Sequence, residues 1–162
     1  MFSNLQIDMA KSVLKSCRAK GLRLSTAESC TGGLISGCLT EVSGSSEVLE
    51  RGFITYSNQA KCDLLGVDLK MIEIAGAVSE EVARAMAEGA LQRSEAHLSI
   101  AVTGIAGPGG GTKEKPIGLV HIAFAGEGIK TLHEKHIFDG DRKAVRSLTV
   151  LNSLKLILSQ ID

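Results

Sequence analysis

Short apolar runs typical of β-strands alternate with amphipathic helical segments along the chain, and this alternation limits the fold more than any other feature of the sequence. Such alternation favours a sheet covered by helices on both faces, with parallel crossover connections. The last two predicted strands are consecutive, which makes the sheet mixed. We therefore predict a single α/β domain over residues 1–162, with three layers and a mixed, mostly parallel sheet flanked by helices.

The predicted elements follow from hydrophobic periodicity and from capping and turn residues. Strands are predicted at residues 22–27, 52–56, 98–103, 119–125 and 130–138. Helices are predicted at residues 5–20 and 34–42, after Ser57, and at residues 79–93 and 142–160. Ser3 or Asn4 is the predicted cap of the first helix, and Ser57 and Ser79 are the predicted caps of the two helices that follow them.

Charge, aromatic content and cysteine spacing exclude several classes of protein. Eighteen Lys and Arg balance eighteen Asp and Glu, and aromatic residues make up 3% of the chain. A neutral chain with few aromatic side chains lacks the field and the stacking surfaces of a nucleic-acid binder. No stretch approaches the roughly 20 apolar residues of a membrane span, and no signal-peptide pattern is present. The four cysteines show no metal-binding spacing, so we expect a cytoplasmic protein without a metal site.

Three polar or glycine-rich loops each follow a predicted strand, at residues 28–33, 56–61 and 104–115. Ligands of such sheets bind outside the carboxyl ends of the strands. We therefore expect the three loops to form one site.

Ser29 lies between a strand and a helix and is the candidate nucleophile. The unpaired N–H groups of a helix start suit an oxyanion hole, which predicts that Thr31, Gly32 and Gly33 face the substrate. The alternative is that Ser29 or Thr31 simply caps the helix. Cys30 is a rival nucleophile, because a helix start lowers the pKa of a thiol.

A serine nucleophile needs a base, and Lys61 is the candidate because burial lowers the pKa of a lysine. Lys61 would take the proton of Ser29 either directly or through Tyr56, which is the only tyrosine. The alternative is an exposed lysine and a packed aromatic side chain. All four histidines lie outside the three loops, which disfavours a Ser-His-Asp triad. Residues 12–15 match S-x-x-K, but they lie on an amphipathic helix with no glycine-rich loop beside it.

The segment from residue 104 to residue 111 has the glycine content of a phosphate-binding loop. It is neither a Walker A loop nor a dinucleotide fingerprint, because a strand follows where both motifs require a helix. A cation would complete the anion site, and Arg142 and Lys115 are the candidates. A flexible surface loop and a surface arginine are the alternatives. The predicted substrate-binding glycines of this loop are Gly104, Gly107, Gly109 and Gly110.

Five short motifs stand at or beside these loops: T-A-E-S-C-T-G-G at residues 26–33, Gly52 through Tyr56-Ser57-Asn58 to Lys61, G-A-V-S at 76–79, T-G-I-A-G-P-G-G at 103–110 and K-P-I-G at 115–118. In this order, over nearly the whole chain, they resemble the CinA C-terminal domain family, whose members include nicotinamide-nucleotide amidohydrolases. The chain has no room for the molybdopterin-binding-like N-terminal domain of longer members, so the stand-alone deamidase form is expected.

The resemblance implies hydrolysis of the carboxamide of nicotinamide mononucleotide to nicotinate mononucleotide and ammonia, a step in pyridine nucleotide recycling. It assigns Ser29 as the nucleophile, with Tyr56 and Lys61 as general-base partners. Thr103 and Arg142 match positions that line the family's site. The implied partner is a small-molecule nucleotide, and no metal or organic cofactor is implied.

Two other functions stay open at this point. One is a non-catalytic module that binds a pyridine nucleotide or acts as a protein partner in competence or damage response. The other is a cysteine-dependent amidase that uses Cys30. Because family members often assemble, we also expect a homo-oligomer, in the simplest case a dimer.

Overall fold

The fold is described from a computed structural model, over residues 2–162. Its strands are β1 (Leu24–Glu28), β2 (Leu49–Ile54), β3 (Leu98–Gly104), β4 (Leu119–Gly126) and β5 (Ile129–Ile137). They form one sheet in the order β2-β1-β3-β4-β5. β1 pairs in parallel with β2 and β3, whereas β4 is antiparallel to β3 and β5. All strands except β4 thus run in one direction, and the predicted mixed, mostly parallel sheet is confirmed.

Helices cover both faces of this sheet, which confirms the three-layer α/β class. The helices of residues 2–162 are α1 (Asn4–Ala19), α2 (Leu34–Thr40), α3 (Asn58–Leu65), α4 (Leu69–Ala75), α5 (Glu80–Gln92) and α6 (Arg142–Ile161), with a short 3-10 turn at Ser45–Glu47. Three helices begin where the sequence places a capping serine. The hydroxyls of Ser3, Ser57 and Ser79 each accept a hydrogen bond from a backbone N–H of the first turn.

Two apolar cores lie on the two faces of the sheet. Leu14, Ile100 and Phe124 belong to the larger core, under α1, α2 and α6. On the opposite face, Ala27, Ala101 and Ala123 form one row across three strands, under α5. Small side chains in this row let α5 approach the sheet closely, since packing density is uniformly high in protein interiors.

Two elements differ from the sequence-based prediction. Helix α4 was not expected, and β2 lies at Leu49–Ile54 instead of residues 52–56. Both differences concern exposed parts of the chain: Ile74 of α4 is 88% exposed, and β2 is an edge strand in which Glu50 and Arg51 pair with each other. Exposed elements carry little hydrophobic periodicity, which is the signal that predicts them.

The parallel part of the sheet sets the position of the site. β1, β2 and β3 end at the same edge, and the three loops singled out in the sequence all leave from it. Within residues 2–162, no helix combines the length and apolar character that crossing a bilayer requires.

Candidate active site

The Ser29 hydroxyl and the Lys61 amine meet at this edge of the sheet. Ser29 follows β1 directly, and Lys61 lies in the first turn of α3, which begins after β2. Because β1 and β2 are parallel neighbours, both side chains start from the same edge. Lys61 Nζ lies 3.1 Å from Ser29 Oγ, which is hydrogen-bonding distance.

Lys61 is buried to an extent that is rare for a lysine. Its residue is 1% exposed, and it forms no salt bridge within residues 2–162. Nζ also donates to the carbonyl oxygens of Thr55, at 2.8 Å, and Tyr56, at 3.5 Å. Burial lowers the pKa of Lys61 below its ordinary 10.5, because desolvation disfavours the charged form. The alternative of an exposed surface lysine is therefore wrong.

A buried carboxylate caps helix α2 from the preceding strand. Glu28 is fully buried, and its Oε2 accepts hydrogen bonds from Thr31 Oγ1 at 2.6 Å and from the N–H groups of Gly33 and Ile35 at 3.0 Å. Its Oε1 accepts from the N–H and the hydroxyl of Ser36, at 2.9 and 3.1 Å. The positive end of the helix thus faces a negative charge inside the protein.

This arrangement overturns the capping alternative for the turn at residues 29–33, which we call the nucleophile turn. Neither Ser29 nor Thr31 caps α2, since the cap position is Gly33 and the Thr31 hydroxyl donates to Glu28. The Ser29 hydroxyl is thereby left to contact Lys61.

Glu28 also changes which N–H groups can face a substrate. The N–H of Gly33 donates to Glu28, and the N–H of Gly32 donates to the Ser29 carbonyl at 3.1 Å. Two of the three expected oxyanion donors are therefore already bonded, and the expectation needs correction. The N–H groups of Cys30 and Thr31 donate to no backbone carbonyl of another residue within residues 2–162.

Arg146 of α6 holds the nucleophile turn from the opposite side. Its Nε donates to the Cys30 carbonyl at 3.1 Å, and its Nη2 donates to the Thr31 carbonyl at 2.8 Å. Arg146 is absent from the predicted site residues, because no local pattern connects it to a turn so far away in sequence. Periodicity shows only that it lies on the polar side of α6.

The thiol of Cys30 is a poor nucleophile in this setting. Burial raises the pKa of Cys30 to about 12, and the charge of Glu28 acts in the same direction. The expectation that the helix start lowers this pKa is wrong, because desolvation outweighs the helix and Glu28 already occupies its positive end. At neutral pH almost no thiolate forms, and the thiolate is the reactive species.

A cavity of about 210 Å³, which we call the site cavity, opens beside Ser29 and Lys61. Thr103, at the end of β3, lines it and donates from Oγ1 to the Ala77 carbonyl at 2.8 Å. The three loops singled out in the sequence therefore all contribute residues to the lining of one cavity. The lining residues are Ser29, Cys30, Tyr56, Asn58, Lys61, Ala77, Val78, Thr103, Gly104, Ala106 and Arg142.

Tyr56 lies at the rim of this cavity with 62% of its surface exposed, so the alternative of a packed aromatic side chain is wrong. Arg142 Nη2 donates to the phenol oxygen at 3.1 Å, and Arg142 Nη1 donates to the Gly107 carbonyl at 3.0 Å. The phenol makes no hydrogen bond to Ser29 or Lys61, whose contact is direct. Of the two expected routes, the structure therefore contains the direct contact between Lys61 and Ser29 and not the relay through Tyr56.

The glycine loop (residues 104–115) divides between the site and the surface. Gly104 lines the site cavity, and Gly107 lines a neighbouring one. Gly109 and Gly110 lie in the exposed part of the loop and line neither cavity. For these two positions, the structure matches the alternative of a surface loop.

Lys115 lies apart from Ser29. Its Nζ donates to the carbonyl oxygens of Ala75 and Val78, at 2.6 and 2.7 Å, so it connects the glycine loop to the last residue of α4 and to the segment that follows. It lines a separate cavity together with His121 and His133, whose rings stack 5.0 Å apart. No histidine lines the site cavity formed by the described residues, in agreement with the disfavoured triad.

A second cavity, of about 570 Å³, adjoins the site cavity and shares Ala106 and Arg142 with it. Lys143 and Arg146 extend its lining, so three cationic side chains face it, and we call it the cationic cavity. Asp141 is the only carboxylate among its lining residues, and its Oδ1 accepts from the N–H of Ala144 at 2.8 Å as the cap of α6.

Known proteins resemble this chain in both sequence and fold. Residues 6–161 match the family model described as the CinA C-terminal domain. A relative from Enterobacter agglomerans, named nicotinamide-nucleotide amidohydrolase PncC, is 48% identical over 143 residues, which is 88% of this chain and 87% of that protein. The crystal structure of the competence/damage inducible protein CihA from Agrobacterium tumefaciens superposes with a TM-score of 0.96 at 47% identity, covering 98% of this chain and 97% of that one.

Other relatives are much longer. A CinA-like protein from Syntrophobacter fumaroxidans is 48% identical over 149 residues, which is 92% of this chain but 35% of that protein. The chain thus spans about a third of the length of several curated relatives that it matches.

Proposed function

Because the chain belongs to the CinA C-terminal domain family, we propose that it hydrolyses the carboxamide of nicotinamide mononucleotide to nicotinate mononucleotide and ammonia. The observation that carries the proposal is the 3.1 Å contact between Lys61 Nζ and Ser29 Oγ, made by a buried lysine at a cavity. The name of the Enterobacter agglomerans relative, which matches over most of both chains, supports the same substrate.

In the proposed first step, Lys61 takes the proton of Ser29. A neutral amine has two N–H groups and one lone pair. The carbonyl oxygens of Thr55 and Tyr56 accept from the two N–H groups, so the lone pair is left for the Ser29 hydroxyl. The lowered pKa of Lys61 raises the fraction of neutral amine at neutral pH, as a general base requires.

Ser29 Oγ then attacks the carbon of the carboxamide, and the carbonyl oxygen becomes an oxyanion. The N–H groups of Cys30 and Thr31 are the donors available to it. The Lys61 ammonium returns its proton to the amide nitrogen, the C–N bond breaks, and ammonia leaves. Water, deprotonated by Lys61, then hydrolyses the ester on Ser29 and restores the hydroxyl.

The cationic cavity accounts for the nucleotide part of the proposed substrate. It adjoins the site cavity through Arg142, whose guanidinium also contacts the rim at Tyr56. A guanidinium is well suited to bind a phosphate with two N–H groups. We therefore place the 5′-phosphate near Arg142 and not near Lys115, whose ammonium is bonded to two backbone carbonyls elsewhere.

Variants of Arg142 and Lys115 test which of these two cations binds the 5′-phosphate. We expect Arg142→Met to raise KM for the mononucleotide by about tenfold or more, with a much smaller effect on the riboside, because one charge-assisted contact is lost. We expect Lys115→Met to lower the free energy of unfolding and to affect both substrates equally. Steady-state kinetics on both substrates, with urea unfolding, measure these effects. A larger phosphate-dependent effect in Lys115→Met would contradict the placement.

The activity itself is tested by ammonia release from the mononucleotide, its riboside and free nicotinamide. The proposal expects ammonia from the mononucleotide and the lowest KM for that substrate. Tight mononucleotide binding without ammonia would instead favour the non-catalytic binding module. Cys30→Ala should keep its activity, whereas loss of turnover in a folded Cys30→Ala protein would favour the cysteine-dependent amidase.

The assembly of copies remains a proposal alongside this function. We propose a homo-oligomer, with a dimer as the simplest form, and light scattering on the purified chain tests it. A single monomeric mass over the working concentration range would remove it.

A further inference from the structure

Arg146 connects two regions that the proposed reaction uses separately. Its guanidinium donates to the carbonyl oxygens of Cys30 and Thr31 in the nucleophile turn. The same side chain lines the cationic cavity, beside Arg142 and Lys143. No other residue among those described combines cavity lining there with hydrogen bonds to this turn.

The guanidinium has capacity left for an anion. An arginine side chain carries five N–H donors, and the two contacts with the turn use one on Nε and one on Nη2. The Nη1 donors and the second Nη2 donor make no hydrogen bond within residues 2–162. Arg146 and its two cationic neighbours also form no salt bridge with a carboxylate in this part of the chain.

We propose that a phosphate dianion in the cationic cavity binds Arg146 and thereby fixes the nucleophile turn, so that the phosphate of the substrate accelerates the chemical step as well as binding. Arg146 is then a positioning residue, because it acts on the reaction through the turn that carries Ser29. This inference rests on the proposed function and deepens it by giving the phosphate a role in kcat.

The physical reason is the coupling of two sets of contacts on one rigid group. A guanidinium that is fixed by an anion on one edge holds its remaining N–H donors in a single geometry. The Cys30 and Thr31 carbonyls are then fixed as well, and with them the N–H groups of the same turn that face the oxyanion. Binding energy from a remote group is thus used to orient the reacting centre, which raises kcat instead of only lowering KM.

The experiment supplies the substrate as two separate molecules, the riboside and a free dianion. Ammonia release from nicotinamide riboside is measured with and without inorganic phosphite, a dianion that mimics a terminal phosphate. We expect saturating phosphite to raise kcat for the riboside by about tenfold or more, since that corresponds to one well-formed charge-assisted hydrogen bond. No change, or inhibition alone, would overturn the inference.

Variants of α6 assign the effect to Arg146. Arg146→Met should abolish the activation by phosphite and lower kcat for the mononucleotide. Arg146→Lys, which keeps the charge but not the planar fork, should lose most of the activation and covers the case in which the first variant does not fold. Lys143→Met should raise the phosphite concentration needed for half activation while keeping the maximal activation.

A remote lysine on the same helix is the matched control. Lys155 lies in another cavity, and Lys155→Met should show the full activation of the unmodified chain. Activation that persists in both Arg146 variants would overturn the role of Arg146. Ammonia release from the mononucleotide by the unmodified chain distinguishes failure of this inference from failure of the proposed function. If the mononucleotide releases no ammonia, the proposed function fails. If it does release ammonia but phosphite does not activate the riboside, only the coupling through Arg146 is contradicted.

Discussion

The nucleophile turn and the glycine loop follow neighbouring parallel strands and both contain consecutive glycines, yet they differ in how firmly the surrounding structure holds them. Glu28 and Arg146 hold the nucleophile turn from two sides, through N–H groups on one side and carbonyl oxygens on the other. The glycine loop contacts the site only at its base, and residues 108–114 are exposed. Glycine content therefore predicts poorly which loop carries the reactive groups. Hydrogen bonds to buried polar side chains predict it better.

The largest effect should come from the nucleophile turn. Ser29→Ala removes the hydroxyl that contacts Lys61 and should lower kcat by at least about 10³-fold, as loss of a nucleophile does in serine hydrolases. Binding of the mononucleotide, measured by calorimetry, should survive because the cations of the neighbouring cavity are intact. Near-normal turnover would remove Ser29 as the nucleophile, and with it the functional contrast between the two loops.

The next effect concerns the buried amine beside that turn. Lys61 acts as a base only when it is neutral, so kcat/KM should rise with pH as the amine loses its proton. Because burial lowers the pKa of Lys61, the midpoint of this rise should lie below the ordinary 10.5. Lys61→Met should remove both the activity and this limb of the profile. A folded Lys61→Met protein that keeps the limb would show that another group is the base.

A smaller effect should come from the support of the turn. Glu28→Gln keeps the shape of the side chain but turns one acceptor into a donor that faces N–H groups of α2. We expect a loss of about 2 kcal/mol in the free energy of unfolding, with a lower kcat. Ser36→Ala is the milder comparison: it removes one of the hydrogen bonds to Glu28 together with the 2.6 Å contact to the Thr26 hydroxyl, and it should lose about 1 kcal/mol. Equal unfolding curves for Glu28→Gln and the unmodified chain would mean that the carboxylate does not support the turn.

The smallest effect should come from Gly109 at the tip of the glycine loop, in contrast to Gly104 at its base. A Cβ at residue 104 would lie 2.8 Å from the Leu119 carbonyl oxygen, whereas a Cβ at residue 109 has nothing within 4 Å. Gly104→Ala should therefore cost about 1–3 kcal/mol of stability. Gly109→Ala should change it by less than about 0.5 kcal/mol, with unchanged KM for the mononucleotide. Thermal unfolding measures both, and a strong loss in Gly109→Ala would show that the loop tip is not free.

Much of the fold could be predicted because its signals are local. The alternation of strands and helices gave the class, and serines at residues 3, 57 and 79 marked helix starts. Helix α4 could not be predicted because it is short and partly exposed, with Ile74 facing solvent. Edge strand β2 was displaced because its charged pair hides the strand pattern.

The site could be predicted only where strand order decides it. Ser29 and Lys61 follow adjacent parallel strands, so their meeting follows from topology. The role of Glu28 depends on a side chain that turns back onto the following helix, and the position of Arg146 depends on how α6 packs. Neither leaves a trace in periodicity or spacing. The contacts of Lys115 and Arg142 also depend on tertiary packing, so the sequence alone could not decide between them as candidates for binding the phosphate.

The charge of Glu28 has a consequence for the end of the catalytic cycle. The proposed substrate presents a neutral amide at Ser29, whereas the product presents a carboxylate there. With the positive end of α2 already neutralised by Glu28 and with the pKa of Lys61 lowered by burial, that new anion meets a weaker electrostatic partner beside the serine than an exposed lysine would provide. Departure of nicotinate mononucleotide should accordingly be fast, and inhibition by accumulated product should be weak.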